Sequence, residues 1–421
     1  MTPPAAPALR RTRHFTALLA ASGVSAVGDG VRLAAFPLLV ITLTDNPVAV
    51  TGVAIANRLP WLLVSLVSGA VADRYDRRTL MILVDLCRAA VVSALAIAVL
   101  THADPLTLLY GVALLLGIGE TLFSTAAQGL LPDLVKAEQL PHANGRLFTL
   151  QNVGSNFIGP MAGSWLFSLG KAVPFIIDAI SFVIGSSLLS LVPSTNRPST
   201  TSSSTSLRKD VTAGIQLVRH HPLLRSFLLV ITVVNLTQSA AQSLLALLAV
   251  DELGLPPSQF GLILAGSGVG AFLGGMLSPR IGDRLGVPAI LLPAVAVTCP
   301  LFALMSWTDQ PAVLGLALTV NAFFGLMANV QMTSLRQQLV PREYLSRVAS
   351  VNMLCAFGFA IPAGALGAGL LAEHTTIRTV YLGCALLILL LVLAITPTMR
   401  PAFLRRTISA LHSADERSPA P

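Results

Sequence analysis

The chain has 421 residues, of which 54% are apolar and only 11% charged, with a formal net charge of +8. Soluble globular domains carry roughly 25% charged residues, so this composition, with a mean hydropathy of +0.76, excludes an ordinary soluble domain and points to a polytopic membrane protein. The basic excess would suggest nucleic acid in a soluble chain, but its placement decides otherwise.

In chain order, apolar stretches predict twelve helices: 15–43, 48–72, 79–101, 106–130, 145–169, 172–192, 224–250, 258–280, 287–307, 312–334, 345–372 and 376–397. Each is long enough to cross a hydrocarbon core of ~30 Å. Arg10, Arg11 and Arg13 precede helix 1, and Arg74, Arg77 and Arg78 follow helix 2. Of the 27 Lys and Arg, 22 fall on that side, two opposite (Lys171 and Arg378) and three inside helices. This is the positive-inside pattern, which places both termini in the cytoplasm and removes the need for a nucleic-acid partner. The first apolar run exceeds a signal-peptide core, carries Asp29 and Arg32 and lacks a clear cleavage site, so helix 1 is expected to be retained.

Between helices 6 and 7, Pro193, Pro198 and the Ser/Thr run Ser199 to Ser206 read as a flexible linker. It divides a cytoplasmic N-terminal segment (1–14) and a six-helix bundle (15–192) from a second bundle (224–397), with 193–223 as linker and 398–421 as a basic cytoplasmic tail. Traces of duplication accompany this division. Leu134, Val135, Glu138 and Leu140 recur as Leu339, Val340, Glu343 and Leu345, and Asp73-Arg74 recurs as Asp283-Arg284. Two parallel six-helix repeats are a transporter architecture with the substrate site near the bilayer midplane. The fold class expected is therefore an all-α integral membrane protein of two pseudo-symmetric six-helix bundles.

The four cysteines lie inside predicted helices without C-x-x-C spacing, and all seven histidines lie in loops or tails. No metal, cofactor or catalytic constellation is expected.

Ionisable groups inside the membrane cost ~2.5 to 3.5 kcal/mol each at a helix centre and mark pathways or proton relays. Seven stand in the first half: Asp29 and Arg32, Arg58, Asp85 and Arg88, Glu120, and Asp178. Asp29 with Arg32, and Asp85 with Arg88, are three residues apart and can pair on one helical face. Arg58 is a possible partner for Glu120. A carboxylate kept from water is disposed to hold a proton, which makes Asp29, Glu120 and Asp85 the proton-coupling candidates and Arg32, Arg58 and Arg88 their charge partners. Asp178 reads as structural. Four acids and three arginines leave −1 in this interior, which one proton would neutralise. The second half offers no comparable charge; Asn235, Gln238, Asn321, Phe324, Asn329 and Phe357 are its candidate cavity-lining residues.

The helix 2–3 loop reads Gly69, Ala70, Val71, Ala72, Asp73, Arg74, Tyr75, Asp76, Arg77, Arg78. It resembles the loop signature of the major facilitator superfamily, departing from it at Asp76, where the family has glycine. The resemblance implies that Gly69, Asp73, Arg74, Arg77 and Arg78 belong to a latch that forms and breaks during alternating access. Gly28-Asp29-Gly30, Pro60, Leu131 to Val135, Ala143-Asn144-Gly145, Gly159-Pro160 and Asp178 to Phe182 resemble the branch of macrolide-efflux and enterobactin-exporter-like proteins. The resemblance implies proton-coupled export of a hydrophobic or amphipathic compound, antibiotic or siderophore, by a monomer in a bacterial inner membrane. Its partners would be a small-molecule substrate, protons and the lipid bilayer, with no enzyme activity. The alternatives are a facilitator or importer of a small polar nutrient, and a transport-inactive receptor or accessory subunit.

Overall fold

The computed structural model describes residues 13–101, 105–136, 139–194, 222–340, 348 and 351–399. Residues 195–221 of the expected linker, the tail from residue 400, and Glu343 and Leu345 of the repeated phrase lie outside them. Among the described residues all regular structure is helical. The first half comprises α1 (Arg13–Ile41), α2 (Pro47–Arg74), α3 (Arg77–Leu100), α4 (Pro105–Leu134), α5 (Leu140–Val153), α6 (Gly159–Leu169) and α7 (Val173–Leu189). The second comprises α8 (Pro222–Ser243), α9 (Pro257–Leu285), α10 (Val287–Ala296), α11 (Thr298–Trp307), α12 (Pro311–Leu339), α13 (Ile361–His374) and α14 (Ile377–Met399). Nine stretches among the described residues are long and apolar enough to cross a membrane.

Proline shapes two of these helices in the same way. A π-helical turn, Gly154–Ile158, joins α5 to α6, and another, Leu354–Ala360, leads into α13. Pro160 and Pro362 stand two residues beyond each turn. A proline ring clashes with the carbonyl four residues back and supplies no N–H, so the helix widens there by one residue. Gly286, with φ of 80°, turns α9 into α10 in a conformation that a side chain would strain.

By contact density the chain forms two units: Met1–Asp45 with Ala56–Ser202 and Leu255–Ala265, and Asn46–Ile55 with Ser203–Gly254 and Gly266–Pro421. In the first unit α1 is the central helix, packed on α6 and α7, while α3 packs on α4 and α7. About its most apolar window α1 is 72% buried, against 33–44% for the other spans. Helices meet without a hydrophobic drive inside lipid, so small residues must let backbones touch. Gly30 lies on the backbone of Gly154, Ser155 and Gly159, and Gly163 lies on the backbone of Val31. The second unit repeats the device, with Gly364 on the backbone of Leu236. Its α8 and α14 are also tied by Tyr381, whose buried hydroxyl donates to the Ala241 carbonyl at 2.8 Å.

Overpacking such contacts costs ~1–3 kcal/mol. Gly163→Val and Gly364→Val are expected to lower the thermal unfolding midpoint in detergent. Gly111→Val and Gly367→Val, where nothing lies within 4 Å of an added Cβ, are not. Equal midpoints for all four would show that these close approaches do not hold the bundles.

Candidate functional site

The charged residues of the first half converge. α1 carries Asp29 and Arg32, α3 carries Asp85 and Arg88 one face apart from its lipid-exposed leucines, and α7 carries Asp178. One carboxylate oxygen joins α1 to α3: Asp29 Oδ1 accepts from Arg32 Nη2 of its own helix at 2.7 Å and from Arg88 Nη2 at 2.6 Å. Arg32 Nε stands 3.3 Å from Asp178 Oδ2, and Arg88 Nη1 stands 3.7 Å from Asp85 Oδ1. The Asp29–Arg32 pair expected from spacing is made. The Asp85–Arg88 pair is stretched, because Arg88 reaches across to α1.

Burial separates the roles. The side chains of Asp85 and Asp178 are 0% exposed and that of Arg88 2%, whereas Asp29 retains 25%. The cluster is most exposed at the residue that holds both arginines. Among the described residues neither carboxylate oxygen of Asp85 or Asp178 has a hydrogen-bond partner, so the neighbouring arginine charges compensate their burial. The Arg88 guanidinium also lies 4.2 Å from the Phe182 ring centroid, and Arg32 lies 5.7 Å from that of Phe36, both within cation–π range.

Glycines make the room. An added Cβ at Gly28 would collide with Ser181 Oγ and Asp178, one at Gly119 would sit 2.8 Å from Arg88 Cγ, and one at Gly185 would sit 3.3 Å from Asp85 Oδ2. The sequence marked the charged residues but gave Asp178 a structural role and did not join it to Arg32. The missing information was the adjacency of α1 and α7. Glu120 and Arg58 are not brought together as an ion pair among the described residues; Glu120 is half-buried and acts on Arg32 from longer range, while Arg58 is exposed.

In the loop motif, the side chains of Gly69 and Asp73 lie outside the described residues, and Arg74 is exposed. Asp76 caps α3, accepting from the Thr79 N–H at 2.8 Å, and takes the Ser194 hydroxyl at 2.9 Å. Arg77 donates to the Gly129 carbonyl on α4, and Arg78 to the Leu189 carbonyl at 3.1 Å and to that of Ser190. Both arginines thus hold carbonyls near helix C-termini, where positive charge is favoured.

The second unit's candidates are dispersed. Asn235 donates to its own helix at the Ile231 carbonyl, and Gln238 is half-buried nearby on α8. On α12, Asn321 is buried with its amide nitrogen unpaired among the described residues, Phe324 stacks edge-on with Phe323, and Asn329 is exposed. Phe357 is exposed on the second π turn. Gln331, next on α12, is buried and donates to the Ser278 carbonyl of α9 at 2.6 Å, which ties two helices together.

Replacing Arg32 with Ala strands Asp178, and removing one partner of a buried pair costs ~3–5 kcal/mol. Arg32→Ala should therefore unfold at markedly lower temperature in detergent, with Arg32→Ala/Asp178→Asn recovering most of the loss. A double variant no more stable than the single would refute the pairing.

Comparison with known proteins bears on the whole chain. The sequence profile of a family described as transmembrane secretion effectors matches residues 3–417. The uncharacterized MFS-type transporter YfiS of Bacillus subtilis is 26% identical over 91% of this chain and 93% of its own. The multidrug efflux pump Tap of Mycolicibacterium fortuitum is 25% identical over 89% and 93%. Macrolide efflux protein A of Streptococcus pyogenes is 24% identical over 86% and 89%. Among solved structures, the nucleoside transporter NupG superposes with a TM-score of 0.75 at 14% identity, covering 92% of this chain and 99% of its own. A bacterial homologue of the iron transporter ferroportin, inward-facing, gives 0.72 at 16%, covering 91% and 98%. These structures share the fold.

Proposed function

The chain belongs to the transmembrane secretion effector family of major facilitator transporters, and from that premise we propose that it is a proton-coupled exporter of hydrophobic or amphipathic small molecules. A multi-pass membrane transporter moves its substrate by alternating access, and this chain's relatives include pumps named for macrolide and multidrug efflux. In this reading the protein crosses a bacterial inner membrane twelve times with both termini cytoplasmic, and works as a monomer that couples export to protons.

The observation that supports the coupling is the doubly engaged oxygen of Asp29, the most exposed member of the cluster. Three acids against two arginines leave this cluster at −1, so one proton neutralises it. A proton on Asp29 weakens its hold on both guanidinium groups. Arg32 then turns to Asp178 and Arg88 to Asp85, which already stand 3.3 and 3.7 Å away. Two pairing patterns result, one with the arginines gathered on α1 and one with each returned to a buried carboxylate. A ligand or proton shifts such a two-state element only by its difference in affinity for the two patterns. Asp29 is therefore the switching acid, with Asp85 and Asp178 as alternate acceptors and Glu120 as a nearby reserve. The loop motif, with Asp73 and Arg74, would release and re-form as the patterns exchange, while Arg77 and Arg78 keep the loop on α4 and α7.

The test is drug-induced proton movement in inverted vesicles bearing the protein, screened over macrolides and other hydrophobic antibiotics. A compound that dissipates an imposed pH gradient in the parent should do so at least about tenfold more slowly in Asp29→Asn, the equivalent of 1.4 kcal/mol; Glu120→Gln should show a smaller loss. Compounds that cross without moving protons, with both variants matching the parent, would replace coupled export by facilitated transport.

A further inference from the structure

Of the two arginines in the charged cluster, Arg88 is the less compensated. Its side chain is 2% exposed, and among the described residues it makes one hydrogen bond, from Nη2 to Asp29 Oδ1. Nη1 stands 3.7 Å from Asp85, beyond hydrogen-bond reach, and Nε has no partner among the described residues. A guanidinium carries five N–H donors, so most of them lack an acceptor here. Arg32, by comparison, lies within 3.3 Å of two carboxylates.

An aromatic ring faces Arg88 instead. The Phe182 centroid lies 4.2 Å from Arg88 Cζ, well inside cation–π range, whereas the Phe36 ring stands 5.7 Å from Arg32. Phe182 is fully buried on α7, one turn from Asp178, and α7 packs on α3. The face of an aromatic ring is negative, and its hold on a cation grows as water is excluded. Unlike Asp85 and Asp178, the ring takes no proton, so that hold does not change with pH. The Arg88 stem lies against Gly119 of α4, where a Cβ would sit 2.8 Å from Cγ and 2.9 Å from Cδ. Ring and backbone together fix where the guanidinium stands.

We propose that Phe182 is a positioning residue: its ring keeps Arg88 on Asp29 and thereby sets how readily Asp29 takes a proton. This role rests on the reading of Asp29 as the switching acid and deepens it. The close approach of ring and guanidinium is made while Arg88 holds Asp29 at 2.6 Å, so the ring backs that pattern against the return of Arg88 to Asp85. A cation beside a carboxylate favours its charged form. Weakening the ring loosens Arg88, takes positive charge away from Asp29 and lets the proton bind at higher pH. The other charged groups around this pair are Arg32 of α1, Asp85 of α3, Asp178 of α7 and Glu120 of α4. α5, the π turn after it and α6 also pack on α1, and their only ionisable residues, His142 and Arg146, lie near the start of α5. Substitution at 182 leaves all of these in place.

The experiment is an infrared titration of the full-length protein in detergent, following the carboxylic acid C=O band that Asp29→Asn removes. The phenylalanine at 182 is replaced by its mono-, di- and trifluorinated forms, which drain charge from the ring face while nearly keeping its shape, so folding is preserved. The pH at which half of the band is gained should climb with each fluorine, by roughly half to one unit in all, and at least as far in Phe182→Leu. Trifluorination of Phe36, the more distant ring, should move it less. A midpoint unmoved by fluorine, an equal shift from both rings, or no Asp29 band at any pH would overturn the role. Neither drug nor proton gradient is involved. A fluorine trend without drug-driven proton movement in vesicles would therefore sink coupled export alone, and drug-driven movement without a fluorine trend would sink the role of Phe182 alone.

Discussion

A single carboxylate oxygen on the most buried helix accepts two guanidinium groups, and the first half of the protein is arranged around that fact. Asp29 Oδ1 draws Arg32 from its own helix and Arg88 from α3, and Arg32 in turn stands beside Asp178 on α7. Three helices are thereby tied by charge at depths where an isolated charge is costly. The arrangement is tight only because Gly28, Gly119 and Gly185 leave the volume that the side chains need. Each arginine stands between two carboxylates, Arg32 between Asp29 and Asp178 and Arg88 between Asp29 and Asp85.

The two halves are alike in frame and unlike in content. Both widen a helix into a π turn before a proline, and both press a glycine onto a neighbouring backbone, Gly163 on Val31 and Gly364 on Leu236. The first half then fills its interior with ion pairs. The second ties its helices with neutral groups, Tyr381 to Ala241 and Gln331 to Ser278. A common frame is thus combined with a charged interior in one half and neutral ties in the other.

The loop after α2 illustrates how a family signature acquires local work. Asp76 replaces the glycine of the signature and caps α3, which fixes where that helix begins. Arg77 and Arg78 then project onto the carbonyl ends of α4 and α7. Arg77 and Arg78, at the start of α3, thereby bind that helix to α4 and α7.

The sequence by itself determined the membrane class, the helical character, the family and the identity of the charged residues, because each of these is written in composition, local periodicity or short contiguous phrases. Asp29 with Arg32 was legible since three residues of helix bring both to one face. Only the tertiary structure decided that Arg88 reaches Asp29 while keeping a longer contact with Asp85, that Asp178 stands beside Arg32, that Arg58 and Glu120 form no ion pair among the described residues, and that α5 starts at Leu140. Those outcomes depend on which helices are neighbours and on how far long side chains reach between them. Residues 59 apart, such as Asp29 and Arg88, leave no local pattern in the chain from which such a contact can be read.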